Sequence, residues 1–311
     1  MAKNPRVMEE TESYRMVKFI DEGAFASVFK VNKKDEPGSV YALKMIKAKN
    51  IEAYMEKQLE QEVIFHAVYL PSHPNILRSF DIFRTDHYVC FVMDFCTCTL
   101  EDIINKEDVP LWFKMRVTRQ LTAGIDSLFE RSIIHRDLKP KNILLSGDSY
   151  ENYQIKITDF GLSKRLDPSQ LLAASAVGTP LFMAPQILNN DKFGIDVDIW
   201  ALGCLIYTLF TRKPPFNAQS FPQLMDMLRK GDYCIPKGTP IPFEAILFID
   251  ECLKDKPEDR AKSYSLIYHK FVSTHDEKEL HKAKILAHKD LWLNTKHDNS
   301  GYLAKTQNEA F

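Results

Sequence analysis

His135-Arg136-Asp137-Leu138-Lys139-Pro140-Lys141-Asn142 decides how the rest of this chain is read. Its loaded side chains stand at fixed offsets. Asp137 can accept a proton, Lys139 can hold a phosphate as a point charge, and Asn142 can bind a metal ion through its amide oxygen. Pro140 rules out a continuous helix, so the segment reads as a rigid loop. Ile133-Ile134 precede it and Ile143-Leu144-Leu145 follow, both patterned as short buried strands. A loop held between two such strands is a good platform for catalysis. Further on, Ile155-Lys156-Ile157 reads as another short strand and leads into Asp159-Phe160-Gly161.

The octapeptide resembles the catalytic loop of protein kinases, H-R-D-x-x-x-x-N, and Asp159-Phe160-Gly161 resembles their D-F-G metal-binding turn. Taken alone, the octapeptide also fits a charged loop solvated at the surface. Two motifs in the right order and spacing favour the kinase resemblance. It implies an α+β, bilobal protein kinase fold over residues 14–271. The small, strand-rich N-lobe with one key helix would span 14–93, the hinge 94–98, and the larger, mainly helical C-lobe 99–271. Residues 1–13 then read as a mobile tail. Residues 272–311 read as a C-terminal extension, helical over 280–292 and mobile at its end.

Composition is that of an ordinary soluble globular protein. The 311 residues suit one large domain or two smaller ones, with 45% hydrophobic and 27% charged residues. A formal net charge of −1 provides no global field toward nucleic acid or anionic membrane. The six cysteines lie in apolar or mixed segments and read as reduced thiols. Cys96-Thr97-Cys98 is too tightly spaced for half a zinc site. The first residues carry no apolar run of signal-peptide type, and no segment reaches the roughly 20 apolar residues of a membrane span. The expected location is cytoplasmic, with nuclear access left open.

Alternation from Tyr14 predicts a strand, and Ser27 to Val31 a second. Between them, aligning Val28 with the valine of the kinase G-x-G-x-x-G-x-V loop puts Asp21, Gly23 and Ala26 at the glycine positions. Only Gly23 is kept, so a stiffer loop and weaker ATP binding are expected. A third strand is expected from Val40 to Ile46, with Val40, Ala42, Lys44 and Ile46 on one face. A lysine on that face is costly without an anionic partner. The strand resembles the V-A-I-K strand of kinases, which implies that Lys44 holds the α- and β-phosphates of ATP. Ile20, Val28 and Ala42 would border the adenine. The competing reading is a lysine that reaches out to water.

A helix from Tyr54 to Leu70 ends at Pro71, with Met55, Leu59, Glu62, Val63 and His66 on one stripe. An acid on an apolar stripe needs a cation, and Glu62 is taken as the family's partner for Lys44; the competing reading is an exposed helix acid. Asn75 to Phe83 and His87 to Met93 read as strands. Val92-Met93-Asp94-Phe95-Cys96 resembles the last N-lobe strand entering the hinge. Met93 would border the adenine pocket, and backbone groups of Asp94 and Cys96 would hydrogen-bond the adenine edge. Thr99 and Asp102 read as a capping box.

In the second half, Pro110 opens a long helix whose apolar stripe is Phe113, Val117, Leu121, Ile125 and Leu128. By resemblance, Leu144 would form the floor beneath the adenine, and Asn142 and Asp159 would hold Mg2+. Asp137 would accept the proton of the attacking hydroxyl, and Lys139 would steady the γ-phosphoryl group. Lys139 and Gly178-Thr179-Pro180 resemble the serine/threonine branch, with Thr179 tying the substrate-docking loop to Asp137 and Lys139. Within the implied activation segment, 166–176 shows no periodic pattern and reads as mobile. Ser175 matches a position phosphorylated in many kinases, where Arg136 and Lys164 would pair with the phosphate. Ala184-Pro185-Gln186 resembles A-P-E with Gln for Glu. The family's glutamate pairs with a buried arginine, here Arg260, so Gln186 is expected to leave Arg260 only partly compensated. Asp198 would brace the catalytic-loop backbone.

Two readings follow. The first is a protein serine/threonine kinase acting on protein substrates with ATP and Mg2+, activated by an upstream kinase or by autophosphorylation. No nucleic-acid partner and no membrane span are expected. The second is a pseudokinase scaffold, toward which Asp21, Ala26 and Gln186 lean. Within the superfamily, the chain resembles autophagy-initiating, calcium/calmodulin-type and NIMA-related kinases without favouring one.

Overall fold

The computed structural model describes residues 11, 13–22, 26–36, 38–47, 53–106, 108–166, 180–189, 191–218, 220–231 and 233–276. Gly23, Gly178, the serine and threonine at 175 and 179, the side chain of Met55 and the expected helix over 280–292 lie outside the described residues, as does almost all of the tail.

Period-two patterning yields a five-stranded antiparallel sheet of β1 (Tyr14–Glu22), β2 (Ala26–Lys33), β3 (Tyr41–Lys47), β4 (Ser79–Arg84) and β5 (Tyr88–Asp94), in the order β1-β2-β3-β5-β4. Val40 does not open the third strand. It precedes β3 and is exposed, and pairing begins at Tyr41. As a central strand, β3 is covered on both faces. Leu43 and Met45 pack with Tyr14, Val31, Cys90 and Val92. On the opposite face, Ile46 packs with Leu59, Leu77, Phe91 and Met93. Lys44 shares that second face by the period of the strand.

The covering element is α1 (Ala53–Ile64), which brings Leu59 and Glu62 inward. The expected helix to Leu70 is interrupted. Residues Phe65–Tyr69 form a wider π turn, closed by the N–H of Leu70 on the carbonyl of Phe65 at 3.0 Å. Such turns re-aim side chains without ending the coil.

Asn75 to Arg78 is a second correction. These residues lie outside β4, and their main-chain pairing with β5 is limited to the Arg78 carbonyl, which accepts the Asp94 N–H at 3.1 Å. Instead Ile76 bridges, in parallel, to Ile157 at the end of β9 (Gln154–Ile157). The N–H of Leu77 donates to the Ile157 carbonyl, and the N–H of Ile157 to the Asn75 carbonyl, both at 2.9 Å. The Asn75 amide donates to the Ile155 carbonyl at 3.0 Å. A buried main chain must satisfy its polar groups somewhere, and here the partner lies some eighty residues on. This seam joins the two halves of the chain.

After the two-residue strand β6 (Cys98–Thr99), Thr99 and Asp102 form the expected capping box on α2 (Leu100–Ile104). Pro110 caps α3 (Leu111–Phe129), whose predicted stripe is fully buried. It packs against α5 (Asp196–Thr211), which is apolar nearly all round and buried along almost its whole length. α5 in turn meets α7 (Phe243–Cys252) so closely that a Cβ at Gly203 would lie 2.7 Å from Cys252 Cβ. The polypeptide stays on this body past the expected boundary at Phe271. Val272 is buried, and the Arg119 guanidinium donates to the carbonyls of Val272 and Thr274 at 2.8 and 2.7 Å. Among the described residues, no helix is long and apolar enough to cross a membrane.

Candidate active site

The loop of His135 to Asn142 runs between β7 (Ile133–Ile134), buried as expected, and β8 (Ile143–Ser146), buried at Ile143 and Leu145 and half-buried at Leu144, with a short 3-10 turn at Pro140–Asn142. Its shape is set by one carboxylate. Asp198, in the first turn of α5, accepts the N–H of His135 at 2.7 Å and of Arg136 at 3.0 Å. Arg136 adopts a left-handed φ of 69°, which costs a non-glycine residue about 1–3 kcal/mol and persists only where surroundings enforce it. Burial raises the Asp198 pKa, and the N–H groups of His135 and Arg136, with the Arg136 charge, work against that rise.

The Asp137 N–H donates to His135 Nδ1 at 3.3 Å, so Nε2 carries the proton and donates to the Thr158 carbonyl at 2.9 Å. This ring therefore ties the loop to the segment before Asp159. The Asp137 carboxylate is nearly buried. Its Oδ2 receives Lys139 Nζ at 2.6 Å and Asn142 Nδ2 at 2.9 Å. Asn142 Nδ2 also donates to the Asp137 carbonyl at 2.8 Å. With its nitrogen so engaged, the amide oxygen is the Asn142 group left with metal-ligand chemistry.

A second charged pair stands on the sheet side. Lys44 Nζ lies 2.5 Å from Glu62 Oε1. Burial opposes the Lys44 charge, but the carboxylates of Glu62 and Asp159 outweigh it, and its pKa is raised. A Cβ at Gly161 would lie 3.7 Å from Asp159 Oδ1 and 3.8 Å from Glu62 Oε2, so both carboxylates flank one glycine. Asp159 itself has φ 68°, a second enforced left-handed residue. Phe160 is fully buried. It stacks on Phe65, meets His66 edge-on, and meets His135 edge-on at 5.0 Å between centroids. One aromatic ring thus touches both α1's continuation and the loop. The two oxygen-bearing side chains Asp159 and Asn142 form a hard donor pair suited to a divalent cation such as Mg2+.

The remaining sequence-predicted residues fall around these groups. Val28 and Phe91 flank Lys44 in the sheet register, and Ala42 is paired with Met93. Met93, Leu144 and Cys96 belong to one apolar cluster with Phe91 and Ile46. Burial, with the Asp94 charge adding, pushes the Cys96 thiol up to about 12. Ile20 is exposed near the end of β1. The Asp21 carboxylate accepts the N–H of Glu22 at 2.8 Å. Arg136 Nε donates to the Leu162 carbonyl at 2.5 Å, while Lys164 lies exposed on β10 (Lys164–Arg165), opposite Ile134. Leu166, expected in a mobile stretch, is buried and donates its N–H to the Ser132 carbonyl at 2.8 Å.

Three contacts lie outside the sequence expectations. The Gln61 amide donates to the Ser163 carbonyl, joining α1 to the segment after Gly161. Lys156 of β9 pairs with Asp94 at the end of β5 at 3.0 Å. The third overturns the expectation for Arg260. Its guanidinium is buried yet fully partnered, and Asp196 supplies a carboxylate at 3.3 Å where Gln186 offers none. Only Lys156 carries a sequence signal, as a charge inside an apolar strand.

The family model described as "Protein kinase domain" matches residues 14–272. Calcium/calmodulin-dependent protein kinase type 1 of Caenorhabditis elegans is 31% identical over 274 residues, covering 85% of this chain and 77% of that protein. Cell cycle serine/threonine-protein kinase CDC5/MSD2 of Saccharomyces cerevisiae is 31% identical over 267 residues, covering 84% of this chain and 37% of its own length. Serine/threonine-protein kinase 36 of Pongo abelii is 30% identical over 266 residues, covering 85% of this chain. This chain spans only 20% of that last protein.

Two half-buried imidazoles give the structure a testable acid response. Burial, with the Lys44 charge adding, pushes His66 from 6.5 to about 4, and burial likewise brings His269 to about 4. Unfolded, both histidines take up protons below about pH 6.5, which the native imidazoles refuse until about 4. Their contribution to stability is therefore complete above 6.5 and is lost as pH falls through that window. The unfolding midpoint should drop between pH 6.5 and 4.5, and His66→Leu should reduce that slope. An unchanged slope in the variant would contradict a neutral His66 in the folded state.

Proposed function

This chain belongs to the protein kinase family, and on that premise we propose that it is an ATP-dependent protein serine/threonine kinase. The reaction transfers the γ-phosphoryl group of ATP to Ser or Thr hydroxyls of a protein substrate. One observation carries the reading: both charged clusters are assembled at once. Lys44 is seated on Glu62 at 2.5 Å, and Asp137 holds Lys139 at 2.6 Å and Asn142 at 2.9 Å.

Each residue has a role in this reading. Lys44, kept charged by Glu62 and Asp159, offers its remaining donors to the α- and β-phosphates. Ala42, Val28 and Ile20 border the adenine from the sheet, Leu144 lies beneath it, and Met93 closes its deep end. Backbone groups of Asp94 and Cys96 meet its edge, and Gly23 lets the loop above approach the phosphates. Asp137 orients the attacking hydroxyl and accepts its proton at the carboxylate. The two donors on Oδ2 fix that carboxylate in place. Lys139, beside it, steadies the transferring group, and its presence favours the serine/threonine branch. Asn142 and Asp159 would hold Mg2+, which neutralises charge on the phosphoryl oxygens. With little covalent work asked of the protein, positioning and electrostatics carry the rate. The scaffold reading retains Asp21 and Ala26 in its favour.

Regulation by phosphate at Ser175 belongs to the same proposal, supplied by an upstream kinase or by autophosphorylation. Arg136 and Lys164, placed on neighbouring parts of the loop and β10, are the cations it would engage. The proposed working location is the cytoplasm.

Incubation with Mg-ATP labelled at the γ position and a generic basic protein should label serine or threonine in that protein. Asp137→Asn should abolish labelling while still binding nucleotide, and Lys44→Met should abolish it too. Equal labelling by Asp137→Asn would overturn the assignment, and no transfer by the native chain would favour the scaffold. Intact-mass analysis should find phosphate at Ser175 in active protein, with Ser175→Ala less active; full activity without phosphate there would remove the regulatory role.

A further inference from the structure

Arg260 is an unusual cation for its surroundings. It lies at the end of a short 3-10 turn, Pro257–Asp259, with its side chain fully buried. Burial pulls its pKa down to about 10, with Asp196 and Asp255 opposing the fall. Its five guanidinium hydrogens meet five acceptors. Nε donates to the Lys254 carbonyl at 2.7 Å, and Nη2 to the Asp255 carbonyl and Gln186 Oε1, both at 2.9 Å. Nη1 donates to the Asp196 carbonyl at 3.2 Å and to Asp196 Oδ2 at 3.3 Å. Among those five acceptors only Asp196 Oδ2 carries a full charge. The guanidinium also lies over the Trp200 ring at 4.9 Å.

Gln186 is therefore a spacer in this group and no vacancy. Its Oε1 accepts from Arg260, and its Nε2 donates to Asp196 Oδ2 at 2.5 Å. An amide does both without taking up a proton, whereas an ionised carboxylate of the same length can only accept. A carboxylate at 186 would face the Asp196 carboxylate at the same distance with no proton between them. Asp196 Oδ1 completes the set by accepting the Gly194 N–H at 3.1 Å.

The placement of these residues gives the group its consequence. Gln186 sits on α4 (Pro185–Leu188), shortly after Phe182 and Met183. Those two residues and Ile187 line a small cavity with Arg136, Asp137 and Leu138 of the catalytic loop. Asp196 and Asp198 share the first turn of α5, and Asp198 holds the loop's main chain at 2.7 and 3.0 Å. Asp198 itself lines that cavity, and Asp196, two residues earlier, holds Gln186, the neighbour of the lining residue Ile187.

We propose that Asp196 is a positioning residue: through Gln186 and Arg260 it fixes residues 180–188, the wall facing Asp137 on the protein-substrate side, to the same helical turn that holds the catalytic loop. That the wall serves a protein substrate rests on the kinase reading; the coupling itself does not. The carboxylate that neutralises Arg260 has its place at 196, matched to an amide at 186.

A reciprocal exchange tests this in the full chain. Asp196→Asn should lower the unfolding midpoint by about 5–10 °C, since it leaves a buried cation without its counter-charge. Gln186→Glu should also lower it, because two carboxylates then meet. The double variant Gln186→Glu/Asp196→Asn returns one carboxylate and one amide to the group and should recover most of the loss. Amide hydrogen exchange over 180–188 should speed up in both single variants and slow again in the double, a readout that needs no turnover. In the transfer assay, each folded single variant should raise KM for the protein substrate more than KM for ATP, with recovery in the double. Additive losses in the double variant, or a neutral Gln186→Glu, would overturn the proposal. The stability and exchange pattern without any transfer by the native chain would instead sink the kinase reading and leave the coupling standing.

Discussion

A single buried carboxylate, Asp198, accepts two consecutive main-chain N–H groups, those of His135 and Arg136. Without it, the loop would have two orphaned buried donors and a left-handed arginine with nothing to enforce it. The position is apt, because the first turn of a helix favours negative charge and α5 begins at Asp196. From that point the chemistry follows by short steps. The fixed backbone sets His135, whose ring nitrogens reach Asp137 N–H and the Thr158 carbonyl. The same backbone sets Asp137, on which Lys139 and Asn142 converge.

The second requirement is that the sheet half stay in register with this loop. Three contacts of different kinds do that. Phe160 packs between the π turn after α1 and His135. Residues Asn75 to Leu77 share main-chain hydrogen bonds with β9. Lys156, on that same strand, pairs with Asp94 where β5 ends. For an ion pair this far out of solvent, with side chains 14% and 21% exposed, desolvation offsets much of the attraction. Here the pair adds direction to a seam that the backbone already holds. The Lys44–Glu62 pair joins β3 to α1, which makes it a report on how α1 is seated.

Much of this architecture is legible in the amino-acid sequence alone. Strongly loaded short motifs stand out because their chemistry depends on residue type and offset, as at Asp137, Asn142 and Asp159. Lys44 stands out by period two, and Glu62 by its place on an apolar stripe, since a charge on a buried face demands a partner. Contacts that leave no mark on local pattern are not legible. The Asn75–Ile157 seam is main chain to main chain, and any side chains would permit it. The π turn at Phe65–Tyr69 shifts a helix without changing its composition. At Gln186 the pattern actively misleads: a missing charge looks like a defect because the compensating carboxylate, Asp196, lies ten residues on in a helix that reads as ordinary.

The central claim is that Asp198 shapes the catalytic loop and that this shape carries turnover. Asp198→Asn keeps the volume and one acceptor but sets an N–H donor against an N–H donor. The account predicts that kcat for phosphoryl transfer falls on the order of 10²-fold through misplacement of Asp137, while the Kd for Mg-ATP, proposed to rest on Lys44 and residues 94–96, stays near its native value. A folded Asp198→Asn protein with native kcat would contradict it.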